Sequence, residues 1–182
     1  YAYPQMNPGN SAHIIFEDSR GRIWIGTWGY GIHLLENAYD PQKVTWKTFE
    51  NIPNDPNSLI QNIIYDISED LNNQSIWVGT PNGLSILADE NNKHFQNYYP
   101  DDFENTISHG EVNSIIRDKQ GMMWLGLLGG GINTAITRKP YFRSYNLGEI
   151  KKELNTNSIT SLYVDSQGII WFGIGNNGII HY

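Results

Sequence analysis

The sequence predicts an all-β fold assembled from four copies of one short antiparallel sheet, and three observations predict it. A tryptophan recurs at Trp24, Trp77, Trp124 and Trp171, at intervals of 53, 47 and 47 residues, so four of the six Trp hold one repeat position. Each lies in a continuous apolar run: Ile23-Trp24-Ile25, Ile76-Trp77-Val78, Met123-Trp124-Leu125 and Ile170-Trp171-Phe172. Neighbouring side chains on a strand point to opposite faces, so such runs require both faces to be buried. Helical patterns of adequate length are missing. A two-layer sandwich would alternate apolar and polar residues, whereas four-stranded sheets packed face to face around an axis bury both faces of their inner strands. A period of 47 residues also falls in the range of a β-propeller.

Each element follows from the repeat. The first strand carries apolar residues three and six positions before an acidic residue: Ile15 before Asp18, Ile64 and Ile67 before Asp70, Val112 and Ile115 before Asp118, Ile159 and Leu162 before Asp165. A turn of the form Asp-x-x-Gly then closes the first hairpin, at Asp18 and Gly21, Asp118 and Gly121, and Asp165 and Gly168. Asp can accept bonds from backbone amides ahead of it, and Gly supplies a positive φ. The second unit reads Asp70-Leu-Asn-Asn-Gln-Ser75, longer and without Gly, so a looser hairpin is expected there. The second strand follows with its Trp and a glycine two residues on, Gly26, Gly79, Gly126 and Gly173. A further glycine opens the third strand, and the fourth carries an aromatic pair: Trp46 and Phe49, Phe95 and Tyr98, Phe142 and Tyr145. In the last unit the strands are expected at Ile159 to Val164, Ile169 to Ile174 and Gly178 to Tyr182, after an aromatic strand at Tyr141 to Tyr145.

One propeller domain results, with residues 1–10 as the outer strand and loop of a preceding blade, then blades at 11–50, 51–100, 101–147 and 148–182, the last incomplete. The expected fold is a propeller segment of four antiparallel, four-stranded blades. Either a strand from the N-terminus completes the last blade and closes a four-bladed ring, or the chain is a slice of a longer array. The slice is the preferred reading, since no unit looks like a polar capping repeat.

Composition narrows the function classes. The 182 residues include no Cys, so no disulfide framework is available, and 39% hydrophobic content with 18 Gly is a normal globular value. Only 17% are charged while 13% are aromatic, which suits a surface of amides and hydroxyls facing neutral polar ligands. The net charge of −7 and the absence of basic runs argue against nucleic acid. The longest apolar stretch, Gly121 to Ile132, is too short and too rich in glycine to cross a bilayer, so no membrane contact is expected of this segment. Tyr1 is not a natural start, and a leader is expected to have preceded it.

The run Phe16-Glu-Asp-Ser-Arg-Gly-Arg-Ile-Trp-Ile-Gly-Thr27, with Gly31-Ile32 after it, resembles the two-component regulator propeller repeat. The resemblance covers all four units, strongest in the first and fourth and weakest in the second. Similar repeats occur in the periplasmic sensor regions of hybrid two-component histidine kinases from Bacteroidetes, typically built from two seven-bladed propellers and a β-sandwich. The resemblance implies a periplasmic sensor that detects a glycan or oligosaccharide, a segment of a seven-bladed ring, other propeller and sandwich domains as neighbours, and a homodimer of the full sensor. It assigns Asp18, Gly21, Trp24, Gly26 and their equivalents to the fold and supplies no ligand position.

Residue chemistry points the same way. Alternating strand direction puts the loop after the Trp strand at the same end as the loop entering the next blade, and propellers commonly bind at one end of their axis. The ligand candidates at that end are Trp28, Tyr30, Asn82, His109, Leu128, Asn176 and Asn177, because aromatic faces beside amides suit sugar rings. The competing reading is that Trp28 and Tyr30 cover a neighbouring blade or partner. Five histidines lack metal-ligand spacing, so neither metal nor cofactor is expected. The pairs Asp101 with Asp102 and Glu69 with Asp70 point apart, as adjacent strand or turn residues do, so no catalytic residue is assigned. The run Leu127 to Ile132 is a blade hairpin and no phosphate loop. A sialidase-like enzyme is the rival, but its Asp turn is one residue shorter, and Arg20, Arg22, Arg117, Arg138 and Arg143 fall near first-hairpin turns or outer strands. A protein-interaction scaffold is the other alternative.

Overall fold

A computed structural model describes residues 11–89, 93–101, 106–137, 158–175 and 178–181, together with the backbone of 141–145. The expected strand in residues 1–10, the ligand candidates Asn176 and Asn177, and Asp102, Arg138 and Tyr182 lie outside the described residues. Three sheets of four strands and one of three follow one another. Blade 1 is β1 (Ala12–Glu17), β2 (Ile23–Thr27), β3 (Ile32–Glu36) and β4 (Thr45–Phe49). Blade 2 is β5 (Asp66–Asp70), β6 (Ser75–Thr80), β7 (Gly83–Asp89) and β8 (His94–Tyr98). Blade 3 is β9 (Val112–Arg117), β10 (Met123–Leu127), β11 (Gly131–Ile136) and β12 (Tyr141–Tyr145), and blade 4 is β13 (Ile159–Val164), β14 (Ile170–Ile174) and β15 (Gly178–His181). Each sheet is an antiparallel meander in chain order, and among the described residues no strand of blade 1 pairs with blade 4. The inner strands pack sequentially, β1 on β5, β5 on β9 and β9 on β13.

The spacing of Asp, Gly and Trp has one physical cause. Asp18 splits its carboxylate: Oδ1 accepts the amides of Arg20 and Arg22, both at 3.0 Å, and Oδ2 accepts Trp24 Nε1 at 2.8 Å. Asp118 repeats this with Gln120, Met122 and Trp124 Nε1, each at 2.9 Å. Asp165 does so with Gln167, Ile169 and Trp171 Nε1. One side chain therefore satisfies the turn and fixes the indole that its hairpin buries. Gly21, Gly121 and Gly168 take φ of 71°, 88° and 87°, where a β carbon is disfavoured. Burial pushes the Asp18 carboxyl up, but bonds from Trp24 and from Arg22 outweigh it and hold the group below its ordinary range.

The second hairpin is a correction to the expectation of looseness. Its four-residue turn is closed by Gln74 N on Asp70 O at 2.7 Å and by Asn72 N on Asp70 Oδ1 at 3.0 Å, with Gln74 at φ 59° in place of glycine. The extra residue moves Asp70 out of reach of the indole, and a relay substitutes for it. Trp77 Nε1 donates to Ser75 Oγ at 3.0 Å, which donates to Asn73 Oδ1 at 2.7 Å.

The core lies between blades. One cluster joins Trp24, Leu34 and Phe49 of blade 1 to Ile67, Ile76 and Val78 of blade 2. A second joins Trp77, Leu84 and Ile86 to Ile115, Met123 and Leu125, and a third joins Trp124 and Ile132 to Ile170, Phe172 and Ile174. The glycine after each Trp permits this approach. A β carbon on Gly26 would sit 2.6 Å from Ile64 Cγ2, one on Gly79 2.4 Å from Val112 O, and one on Gly126 2.7 Å from Ile159 Cγ2. At Gly79 the whole obstacle is Val112 of the next blade, while at Gly26 and Gly126 the next blade's isoleucine crowds the site together with Ile14 and Ser114 of the glycine's own sheet, both at 2.5 Å.

Candidate functional site

The loops after β2 and β6 meet the segments that lead into the following blades, as the alternation of strands predicts, and the loops after β2 and β10 bond the segments entering their own blades. Gly29 N and Gly31 N both donate to Asn62 O, at 3.0 and 2.9 Å, and Ile64 N donates to Thr27 O at 2.9 Å. Trp28 N donates to Ser11 O at 2.9 Å, and Leu128 N donates to Glu111 O at 3.0 Å in the matching place of blade 3. Backbone bonds thus fix the loops that carry the candidate side chains.

Of the expected ligand residues, Trp28 becomes the centre of a ring cluster. It is 50% exposed, its ring lies 5.4 Å edge-on from His13, and it tilts against Tyr65 at 5.8 Å. Tyr30 stands on the same loop, 37% exposed, with its amide held by Thr27 Oγ1 at 2.9 Å and no ring contact among the described residues. Asn82 is exposed in the two-residue turn after β6, which packs on Gly110 beside His109. His109 is exposed and accepts Glu111 N at Nδ1. It packs against Gly130, where a β carbon would lie 2.3 Å from its own. Leu128 is half-buried.

His13, Tyr65 and Glu111 are the residues that sequence reasoning passed over. Burial, and then the nearby Glu111 charge, raise the Tyr65 hydroxyl above its ordinary range. A repeat position does mark two of them. Ile14, Asp66, Ser114 and Ser161 each face the glycine after a Trp, and the residues just before them are His13, Tyr65, Asn113 and Thr160. Asn113 Nδ2 reaches Thr160 O at 2.9 Å, so this position links blades along the inner strands. One polar or aromatic side chain per blade therefore stands at this register position, and those of blades 1 and 2, His13 and Tyr65, flank Trp28.

A second concavity of about 660 Å³ runs along β1, β5 and β9, lined by Glu17, Asp66, Glu69 and Arg117 among others, and none of the seven expected ligand residues lines it. Its carboxylates serve contacts between blades. Glu69 accepts Ser19 N and Oγ of blade 1 at 2.7 and 2.8 Å, and Asp66 Oδ2 accepts Ile115 N of blade 3 at 2.6 Å. Burial pushes Asp66 up to about 6, against the bonds from Ile115 and Ile67. Glu69 and Asp70 point to different blades, as adjacent strand residues must. Among the described residues no group of three or more His, Asp and Glu could hold a metal ion, and no helix is long and apolar enough to cross a membrane.

Three segments, 8–29, 106–129 and 153–176, match the two component regulator propeller family. The unmatched unit is the second, whose turn departs from the Asp-x-x-Gly pattern. No curated protein matches the chain by sequence. Among solved structures, the extracellular domain of a putative hybrid two component system from B. thetaiotaomicron superimposes with a TM-score of 0.76 at 20% identity, over 98% of this chain and 23% of that one. A second such domain from the same organism gives 0.67 at 19% identity, over 96% and 22%. An ancestral GH74 enzyme gives 0.62 at 13% identity, over 96% and 23%. At these identities the likeness is one of fold, and the chain spans under a quarter of each relative. Each matched segment holds an Asp turn bonded to its Trp indole and a glycine two residues after that Trp, and three of the four successive β-propeller blades thus carry segments that match the two component regulator propeller family.

Proposed function

We propose that this chain is a non-catalytic part of a periplasmic sensor of a hybrid two-component system, and that it binds a neutral oligosaccharide at the end of the blades where Trp28 stands. The observation that carries this reading is the half-exposed Trp28 ring, held between His13 and Tyr65 on loops fixed by backbone bonds. Such a rigid apolar face can stack on a sugar ring, while Tyr30, Asn82, His109 and the side chains of Asn113 and Thr160 offer hydroxyl partners. A preformed site of this kind loses little entropy on binding. The non-catalytic reading is supported by the employment of Asp18, Asp118 and Asp165 in turns. Signalling follows if the sugar binds more tightly to one of two arrangements of paired sensor chains, and so shifts their equilibrium towards the kinase-active one.

The test is calorimetric titration of the chain with a panel of oligosaccharides, repeated with Trp28→Ala and Tyr65→Ala. A sugar bound by the parent chain and weakened at least tenfold in both variants, with circular dichroism unchanged, supports the site. Equal affinity in the folded Trp28→Ala variant overturns it.

A further inference from the structure

The two ends of the blades differ in charge. First-hairpin turns stand at one end, with Arg20 and Arg22 in blade 1 and Arg117 and Lys119 in blade 3, and the turns between third and fourth strands, at the same end, hold Lys43 and Lys93. Carboxylates there meet cations: Asp18 with Arg22, Glu36 with Lys47, Asp40 with Lys43 and Asp70 with Arg117. The loops after the Trp strands and the segments crossing to the next blade form the opposite end, where Trp28 stands. Its loops 27–31, 80–83 and 127–131 carry no charged residue, and the crossing segments 50–65 and 99–111 contain Glu50, Asp55, Asp101, Asp102, Glu104 and Glu111 with no Lys or Arg. The segment before blade 4, 146–158, sets Lys151 and Lys152 against Glu149 and Glu153, whereas Trp28 stands between His13 of blade 1 and Tyr65 of blade 2.

Two of these carboxylates border the Trp28 loop and its rings. A β carbon on Gly31 would lie 3.2 Å from Glu50 Cα, so the exposed Glu50 adjoins the loop that carries Tyr30. On the other side, Tyr65 N donates to Gly79 O at 2.9 Å, and a β carbon on that glycine would lie 2.4 Å from Val112 O. The half-buried Glu111, one residue before Val112, therefore enters beside Tyr65, and its charge reaches the Tyr65 hydroxyl. Both flanks of the aromatic face thus carry the same sign of charge. Carboxylates so placed, with no basic group beside them, build a negative potential within a Debye length of the rings. The face of an indole is itself negative and attracts cations.

We propose that Glu50 and Glu111 make the Trp28 end selective by charge, so that it admits neutral sugars and amino sugars and excludes uronic and sulfated ones. The inference rests on the sugar reading of that end and names the class of sugar it refuses. Discrimination comes from repulsion: an anionic sugar stacked on Trp28 would set its charge near two carboxylates with no cation to receive it. The backbone of Glu111, and not its side chain, makes the local bonds, with N on His109 Nδ1 at 3.3 Å and O accepting Leu128 N at 3.0 Å. Replacing its carboxylate by an amide should leave the loop in place.

The charge at Trp28 can be read without a sugar, by quenching its fluorescence with iodide, an anion, and with acrylamide, which is neutral. The Trp28 share is the difference between a chain and the same chain carrying Trp28→Phe. At about pH 8 histidine is neutral and leaves the carboxylates to set the field. In the Glu50→Gln, Glu111→Gln double variant, iodide quenching of Trp28 should rise about twofold at low salt, with acrylamide quenching unchanged, and the rise should shrink at high salt. Equal iodide quenching in parent and variant overturns the proposal, whatever sugars bind. Calorimetry with trigalacturonate, beside the neutral panel and chitosan triose, gives the second arm. Neutral binding without trigalacturonate binding supports the proposal, and trigalacturonate held by the parent but lost in Trp28→Ala overturns it. If no sugar binds while iodide is excluded, the sugar reading fails and the charge assignment of this end stands.

Discussion

The inner blades and the end blades carry the same Trp strand in different surroundings. In β6 and β10 every residue is buried, whereas β2 and β14 alternate between buried and half-buried. The local bonds do not explain this, because Asp165 holds Trp171 Nε1 at 2.9 Å just as Asp118 holds Trp124. What differs is the neighbour. The hairpin and its indole are set within one repeat, but burial of the strand's two faces is supplied by the repeats before and after it. Stability in such an array is approximately a sum of repeat terms and nearest-neighbour contacts, and an end blade lacks one contact.

The comparison breaks most visibly at the Trp itself. Trp77→Ala, in the inner blade 2, removes a buried ring and should cost about 3–5 kcal/mol in denaturant unfolding. Trp171→Ala removes a half-buried ring and should cost about 1–2 kcal/mol, because its outer face already meets water. Equal losses at the two positions would mean that the hairpin and not the neighbouring blade carries the energy of the Trp.

A smaller effect sharpens the contact between blades 2 and 3. The Asp66 carboxyl, raised to about 6 in the folded chain, returns towards its ordinary 3.8 on unfolding, so the folded state holds the proton more tightly. Its contribution to stability is therefore greatest below about pH 4, falls as pH rises to about 6 and is constant above that. Asp66→Asn keeps an acceptor for Ile115 N and removes this fall. Relative to the parent, the variant should gain on the order of 1 kcal/mol between pH 4 and pH 8. Urea midpoints at the two pH values check this, and an unchanged difference would show that Asp66 is effectively solvated.

Much of the fold was legible because the repeat places strong local signals at fixed intervals. The interval from Asp18 to Trp24 marks a hairpin, and the predicted strands at Ile159 to Val164 and Tyr141 to Tyr145 coincide with β13 and β12. The second duty of the turn Asp was not legible. Its bond to the indole exists only once β1 pairs with β2 and folds Trp24 back beside the turn. The tight turn after Asp70 was missed because Gln74 takes a positive φ with no glycine to announce it. At the candidate site, Trp28 stood out among glycines, but His13 and Tyr65 did not. The first strand is bulged at Ala12 and Ile14, at the partners of Gly126 and Leu127, and at Ile159 and Ser161. Each bulge shifts the alternation that would otherwise mark which residues share a face.

The most direct measurement of the claim that neighbours complete each blade is hydrogen exchange along the Trp strands. The account predicts that amides of β6 and β10 exchange slowest and that those of β14 exchange markedly faster, although β14 is paired on both edges by β13 and β15. Equal protection in β10 and β14 would contradict it, because the open Trp171 face would then cost the blade nothing.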